Sequence, residues 1–565
     1  MKKGTKCPVR NKMLQNMQLK VYTVNKKLSF LLDITPLNFL LRFLKNRDVM
    51  KKLFKPFALL LATMLSVPAF AASPVVGPEN VRNLRLLENS PMLFELHRVT
   101  TGEGRQFFAY PRRDTTFRKN FVATEKNALL YFDNQNGAAV SGHGSFENKA
   151  PRMALAMSLV GGLDYRGGEA LNDTIWPGMD GGIFLRGYAD SIDFVLDARI
   201  YDEAHFATER EKDNRPRSFD GEFLENQKSE DNSGLEYTSY ARYRAHIALN
   251  YDWLRLDFGR DVMHWGPGYY NNLSLNQFAL PYNMLSLDMQ FGPLRVLSFY
   301  GDLRIYPGMG MNNKEETRNI FGHRYELAVG NATFGISELQ IQYDNLKPWL
   351  FVPVVPLFME KGNYSEDSNN GSLSFDFNYR LFRSLRVYSE FFLDDMESPV
   401  SLVKNDNIEA KWAWMAGMHG AHDFNIKSHL VESGFIAEYA RIEPYVYSHF
   451  HANTAQMAHL GRPLGNQAGP NSQTIDFTAY GRLDHHIFAS LRNTWFWKGT
   501  DYGSAVNDTT PRRDHMRIHK RFLKGAKMEY SLTPSISYEG QYTFFLGEIT
   551  LFNDEKVYLR TGFKW

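Results

Sequence analysis

The sequence predicts an all-β fold, a transmembrane outer-membrane antiparallel β-barrel of about 18 strands with a small N-terminal periplasmic or plug segment. Three observations predict it. Hydropathy alternates with period two along many segments of about ten residues. Short turns and long loops alternate along the chain. A secretory signal precedes the alternating region.

The signal comes first. Met50-Lys51-Lys52-Leu53-Phe54-Lys55 is a basic start, Phe57 to Val67 is an apolar run, and Ala69-Phe70-Ala71 is a small-x-small cleavage site. Residues 50–71 therefore read as a signal peptide cut after Ala71. Residues 1–49 read as an over-annotated upstream segment, with Met50 the expected start. Residues 1–71 carry 14 Lys and Arg against 2 Asp and Glu, so their removal takes the net charge from +3 to −9. The basic balance leaves with them, and with it any expectation of a nucleic-acid partner. The single cysteine, Cys7, lies there too, which excludes a disulfide framework, a thiol nucleophile and a Cys-ligated metal from the rest. No later stretch has eighteen consecutive apolar residues, so a membrane helix is not expected.

From about residue 151 to 565 the alternation dominates. Tyr243, Ala245, Ile247 and Leu249 share a face opposite Arg242, Arg244, His246 and Asn250. Ile192, Phe194, Leu196, Ala198 and Ile200 alternate with Asp193, Asp197, Arg199 and Tyr201. Leu373, Phe375, Phe377 and Tyr379 alternate with Ser374, Asp376, Asn378 and Arg380. Strands with an apolar aromatic face and charges mid-strand suit lipid outside and a polar lumen inside.

Tight turns are expected at Asp190-Ser191, Tyr251-Asp252, Gly292-Pro293, Gly330-Asn331, Leu381 to Ser384, Asp484 to His486 and Leu532 to Ser535. Long polar connections are expected at about 203–237, 261–283, 305–321, 344–370, 395–408, 450–472 and 498–517. Short turns face the periplasm and long loops the outside, which places the chain in a bacterial outer membrane, in contact with its lipid. The last strand alternates Val557, Leu559, Thr561, Phe563 and Trp565 with Tyr558, Arg560, Gly562 and Lys564. Its aromatic end resembles the signal read by the barrel-assembly machinery, an expected partner through Trp565. Residues 72–150 lack the pattern and read as an N-terminal periplasmic or plug segment.

Catalytic motifs are absent: no Walker-type loop, no H-E-x-x-H and no G-x-S-x-G occurs. No enzyme activity, cofactor or metal is expected. His449-Phe450-His451 would put two imidazoles on one strand face, with His459 or Glu443 as a third metal ligand, but a polar rim is the favoured reading. Asp394-Asp395 would point to opposite faces of a strand and so not converge for acid–base work. Glu366 to Gly371 reads as a solvated loop tip.

The stretch from Gly259 to Pro281 (GRDVMHWGPGYYNNLSLNQFALP) stands apart. It packs Trp265, Tyr269 and Tyr270 into a long connection, with Gly266-Pro267-Gly268 as a pre-set turn. Such aromatic surface suits a loop tucked into the lumen. It also suits a carbohydrate platform, in which sugar C–H faces stack on aromatic rings while Arg260, His264, Asn271 and Asn272 supply hydrogen bonds. The two readings are compatible. His449 and His451, at the start of the 450–472 loop, join Arg260, His264, Trp265, Tyr269, Tyr270 and Asn271 as candidate carbohydrate contacts.

Five segments in order carry a family resemblance. They are Gly259-Arg260 with Trp265 to Gly268, Ser274, Ala279 and Pro281; Gly322 to Glu326 (GHRYE); Leu385 to Asp395 (LRVYSEFFLDD); Glu438 to His449 (EYARIEPYVYSH); and Leu460 to Ser472 (LGRPLGNQAGPNS). Together they resemble Wzi-like capsule assembly proteins. The resemblance implies an outer-membrane barrel of about eighteen strands that binds surface polysaccharide and helps attach it to the cell, without catalysis. It also implies an N-terminal helical bundle, which residues 72–150 do not clearly encode, and it leaves the charged 203–237 loop unmatched. The rival readings are a porin-like passive solute channel, which needs an open lumen, and a barrel enzyme, which needs a catalytic set that no motif supplies.

Overall fold

The computed structural model describes residues from Arg118 onward. It leaves out 120, 123–124, 127, 141–148, 168–175, 207–227, 231–234, 306–316, 344–345, 365–368, 383, 397–409, 450–454, 485, 501–520, 541–542, 554 and 565. The signal peptide, the upstream segment, His451, Trp565 and most of the 203–237 loop lie outside the described residues.

In chain order the strands are β1 (Leu130–Asp133), β2 (Gly137–Val140), β3 (Met153–Gly167), β4 (Trp176–Ala189), β5 (Ile192–Phe206), β6 (Lys228–Glu230), β7 (Leu235–Asn250), β8 (Leu254–Asp261), β9 (Tyr282–Phe291), β10 (Leu294–Arg304), β11 (Thr317–Val329) and β12 (Ala332–Gln342). They continue with β13 (Asn370–Phe382), β14 (Leu385–Met396), β15 (Ala410–Ile426), β16 (His429–Ile442), β17 (Ala458–His459), β18 (Arg462–Pro463), β19 (Ser472–Leu483), β20 (Ile487–Lys498), β21 (Met528–Glu539), β22 (Thr543–Thr550) and β23 (Lys556–Lys564). Setting aside β1, β2, β6, β17 and β18, each strand pairs antiparallel with the next, and β23 pairs with β3. The sheet is a closed barrel of 18 strands.

Closure leaves no sheet edge, as a backbone in lipid requires. The two faces are inverted relative to a soluble protein. Along β5, Asp193, Asp197 and Arg199 are buried in the lumen, while Ile192 and Ile200 face outward and are exposed. Along β13, Asp376 and Asn378 are buried and Phe375 and Phe377 exposed. Apolar outside and charged inside is the pattern of a lipid-facing barrel wall, so the chain is a barrel of the bacterial outer membrane.

The luminal charges are paired. Asp180 of β4 meets Arg199 of β5 at 3.2 Å and Arg560 of β23 at 2.5 Å, which ties the closing strand to the first hairpin. Arg324 of β11 is bonded to Glu326 and Asp376, and Arg255 of β8 to Asp193 and Asp257. Below the end of β23, β1 takes over the pairing edge of β3, at Leu130↔Met157 to Asp133↔Ala154. Phe121, Val122 and Tyr131 then pack on the luminal Ala154, Ala156 and Tyr188, and Glu125 pairs with Arg186 at 2.9 Å.

Six of the expected turns stand where the sequence put them. Leu532 to Ser535 is not a turn. It is the middle of β21, whose pairing with β20 is continuous. Its pairing with β22 has a gap beside Pro534, between Leu532↔Leu551 and Ser535↔Glu548, with no slip in register. Proline lacks the N–H a ladder needs but tolerates extended backbone, so its turn signal misled here. The actual turn follows β21, closed by the Gly540 amide on the Thr543 carbonyl at 2.8 Å. A further turn, at Lys427-Ser428, carries no glycine or proline, and Lys427 itself takes φ 57°. The 344–370 connection is not polar throughout: its centre forms a 3-10 turn at Pro348–Phe351 and a helix, α1 (Leu357–Tyr364).

Candidate functional site

The connection between β8 and β9 folds into the lumen. From Val262 to Leu280 nearly every residue is buried. Two wall carboxylates hold its main chain. Glu438 of β16 accepts the amides of Tyr269 (2.5 Å), Tyr270 (2.9 Å) and Asn271 (3.0 Å), and the Tyr388 hydroxyl at 2.7 Å. Glu390 of β14 accepts the amides of Leu273 (2.8 Å) and Ser274 (2.9 Å) and the Ser274 hydroxyl. Arg386 donates to the Pro267 carbonyl at 3.0 Å. An irregular loop has no internal ladder, and these wall groups supply the partners its buried amides need.

Two glycines make the packing possible. Gly266 sits at φ +115°, and a Cβ there would lie 2.6 Å from the Glu390 carboxylate. Gly465, on the loop between β18 and β19, would place a Cβ 2.1 Å from the Leu273 carbonyl. That second loop locks the first. Tyr447 donates its hydroxyl to the Leu273 carbonyl at 2.8 Å and accepts the Asn466 amide at 3.1 Å, and Asn276 donates to the Leu464 carbonyl at 2.7 Å.

Between the two loops and the walls lies a cavity of about 430 Å³. Tyr270, Asn271 and Phe278 to Pro281 line it from the first loop, Arg462 from β18, and Asn466 to Ala468 from the second loop. Arg242 and Arg244 of β7 face it, as do Thr474 and Asp476 of β19 and Arg492 and Thr494 of β20. Four arginines thus face one carboxylate. The rings of Tyr270 and Phe278 are parallel, 6.3 Å apart, and the Arg492 guanidinium lies 3.9 Å from the Tyr270 ring centre. Arg492 also bonds Asp476 at 2.7 Å, and Arg244 approaches Asp261 at 3.5 Å. An arginine-rich recess with flat aromatic surface suits an anionic, ring-shaped ligand.

The sequence candidates separate in this geometry. Tyr270 and Asn271 line the cavity. Asn271 is committed to Asp476 (2.7 Å), Thr474 (2.9 Å) and Asn466 (3.1 Å), so it braces the wall of the recess. Trp265 has no exposed surface. It packs edge-on against Phe299 of β10 and presents no ring face to a ligand. Tyr269 is buried against Ile436 and Tyr480. His264 is buried and accepts the Gln277 amide on Nδ1 at 3.3 Å, and burial, reinforced by Arg324 and Arg386, holds it neutral with its pKa pushed down to about 3. Arg260 is on the outward side of β8, over the Tyr243 ring, because strand alternation puts Asp257 and Asp261 in the lumen instead.

His449 is buried beyond the end of β16. The strand stops at Ile442 and Pro444 opens a run of turns before His449, while His451 lies outside the described residues. Among the described residues no three His, Cys, Asp or Glu groups converge as a metal site would require. Asp394 serves the loop, accepting the Tyr447 amide at 2.8 Å. Sequence reasoning missed Arg492, Asp476, Arg462 and Phe278. It placed Arg242 and Arg244 on a polar strand face but not in a site.

No protein-family model matches the chain, and no curated protein does. Among solved structures it is similar to Wzi of Escherichia coli, an outer-membrane protein involved in group 1 capsule assembly and described as a carbohydrate-binding β-barrel. The identity is 14%, the TM-score 0.47, and the match covers 72% of this chain and 84% of that one. It is also similar to Pseudomonas aeruginosa OpdK, solved with vanillate, at 9% identity and TM-score 0.35, over 73% of this chain and 98% of that one. OprD of the same organism matches at 12% identity and TM-score 0.35, over 72% and 93%. The barrel assignment rests on the strand pairing, and the functional inference rests on the cavity.

Proposed function

We propose that the chain is a non-catalytic outer-membrane barrel that binds acidic surface polysaccharide in its luminal recess and so helps hold capsular or exopolysaccharide at the cell surface. The observation that carries this reading is the recess itself, with Arg242, Arg244, Arg462 and Arg492 around the parallel rings of Tyr270 and Phe278. A uronate-bearing sugar would set its carboxylate among the guanidinium groups and its ring on the aromatic surface. Trp265, Tyr269, His264 and Asn271 act in this reading by shaping the loop rather than by touching sugar. The passive-channel alternative needs a clear lumen, and the loop bonded to Glu390 and Glu438 opposes it.

The test is binding of the detergent-solubilised barrel to polysaccharide extracted from its own cells, with a neutral dextran as control. Saturable binding to the acidic glycan, weakened at least several-fold in Tyr270→Ala and Arg492→Ala proteins, is expected. Equal binding by those variants removes the recess from the reading. No binding by the wild type sinks the reading itself.

A further inference from the structure

We propose that residues 346–359, on the connection between β12 and β13, form an outer-leaflet anchor that lies flat on the outside of the barrel and buries its free face among lipid acyl chains. This is independent of what the lumen binds.

The wall beneath the segment is the starting point. On β10 to β12 the outward positions near the periplasmic end are apolar and bare: Leu327, Val329, Phe334 and Ile336 are each more than 40% exposed. Nearer the outer end the outward positions turn polar, with Ser298, His323, Tyr325, Glu338 and Gln340. Left bare at that depth they would face hydrocarbon, which offers polar groups no hydrogen-bond partner. They are not bare. Ser298, His323 and Gln340 are 1%, 0% and 0% exposed. The covering segment bonds to three of the five: Ser298 donates to the Phe351 carbonyl, Tyr325 to the Pro353 carbonyl, and the Leu357 amide to Glu338 at 3.0 Å. Leu350 and Leu357 pack on Phe321.

The segment's other face is apolar and has no protein over it. Trp349, Val352, Val354, Phe358 and Met359 are 51%, 45%, 83%, 44% and 63% exposed. Pro348 to Met359 (PWLFVPVVPLFM) contains no charge and is bracketed by Lys347 and Glu360. Its backbone also suits lipid. Pro348, Pro353 and Pro356 have no N–H to satisfy, and the amides of Leu350, Val352 and Val355 bond to carbonyls within the segment. The occupant follows from position. The bare face is continuous with the wall residues Phe334 and Ile336, which already face lipid, so the same acyl chains cover both.

The test uses single cysteines in a Cys7→Ser background, since Cys7 is the sole cysteine. Val354→Cys and Met359→Cys proteins carry a bimane fluorophore in nanodiscs, with Ile336→Cys as the lipid-facing reference and Lys427→Cys as the aqueous one. Quenching by nitroxide-labelled phospholipid is compared with quenching by iodide, and heat-modifiable gel mobility checks folding. Lipid quenching at 354 and 359 close to that at 336, and at least several-fold above that at 427, is expected. Iodide quenching like that at 427 overturns the proposal. Protection from both quenchers overturns it as well, because a protein surface rather than lipid would then cover the face. Two separate positions keep the test decisive if one variant does not fold.

Discussion

The Oε1 of Glu438 lies 2.5 Å from the main-chain amide of Tyr269, so a side chain on the barrel wall fixes the backbone of a loop more than 160 residues earlier. The same carboxylate takes the next two amides and the Tyr388 hydroxyl. Hydrogen bonds to a charged group contribute about 1.5–3 kcal/mol each. Glu438→Ala removes the common acceptor and strands three buried amides, so the loop should leave the lumen while the barrel stays intact. The check is conductance in planar bilayers. Wild type should conduct poorly and Glu438→Ala should show a clear rise. Unchanged conductance with unchanged gel mobility would mean that the loop is held by other contacts.

Trp265 makes its contribution through packing. It is fully buried on Phe299, and among the described residues its indole Nε1 has no hydrogen-bond partner. Trp265→Ala should therefore cost about 3–5 kcal/mol, as large-to-small changes in cores do. Trp265→Phe keeps most of the ring, drops the unpaired donor and should cost less than about 1.5 kcal/mol. Proteolysis of the folded barrel, read as loss of loop protection, separates the two. Equal sensitivity in both variants would show that the indole nitrogen matters after all.

Much of this was legible in the sequence. Alternation read the strands well because lipid outside and paired charge inside force opposite chemistry on adjacent positions of every strand, as at Ile192 and Asp193. Turn chemistry read less well. Pro534 signals a turn but sits in β21, and Lys427 makes one without a signal, at φ 57° between the paired Ile426 and His429. The tucked loop could be anticipated from its aromatic content, but which rings face a ligand could not. Trp265 and Tyr270 are five residues apart in one loop, and only packing against Phe299 or Arg492 decides their exposure. The cavity arginines come from β7, β18 and β20, so their meeting depends on barrel closure rather than on any local spacing.

Acid should loosen the lumen. His264 and His459 are both held well below an ordinary imidazole, with pKa values pushed down to about 3 by burial first and by nearby arginines second. In each, Nδ1 accepts a backbone amide, from Gln277 and from Arg304, which a protonated ring could not do. The unfolded chain binds these protons near pH 6.5 and the folded chain does not. Their contribution is complete above about pH 6.5 and falls as the pH drops toward 3, by at most about 1.4 kcal/mol per pH unit per histidine. Thermal melts across pH 7 to 4 should show this decline, and His264→Gln should flatten it. An identical slope in the variant would remove His264 from the effect.

The recess makes its own prediction through salt. Arg242 and Arg492 line it from β7 and β20, and Arg492 is half held by Asp476 and half spread on Tyr270. An anionic glycan must compete with Asp476 for that guanidinium, so Asp476→Asn should tighten binding where Arg492→Ala weakens it. Each arginine removed should lower affinity by about tenfold, equivalent to about 1.4 kcal/mol, with the larger effect at low ionic strength because screening shortens the reach of the remaining charges. A neutral glycan would respond to Tyr270→Ala but to neither charge change. Titrations of the two arginine variants and Asp476→Asn at low and high salt therefore separate a carboxylate-reading recess from a simple stacking platform. A parallel loss in Asp476→Asn would show that the carboxylate serves mainly to position Asn271 and Arg492, through the bonds it already makes to both.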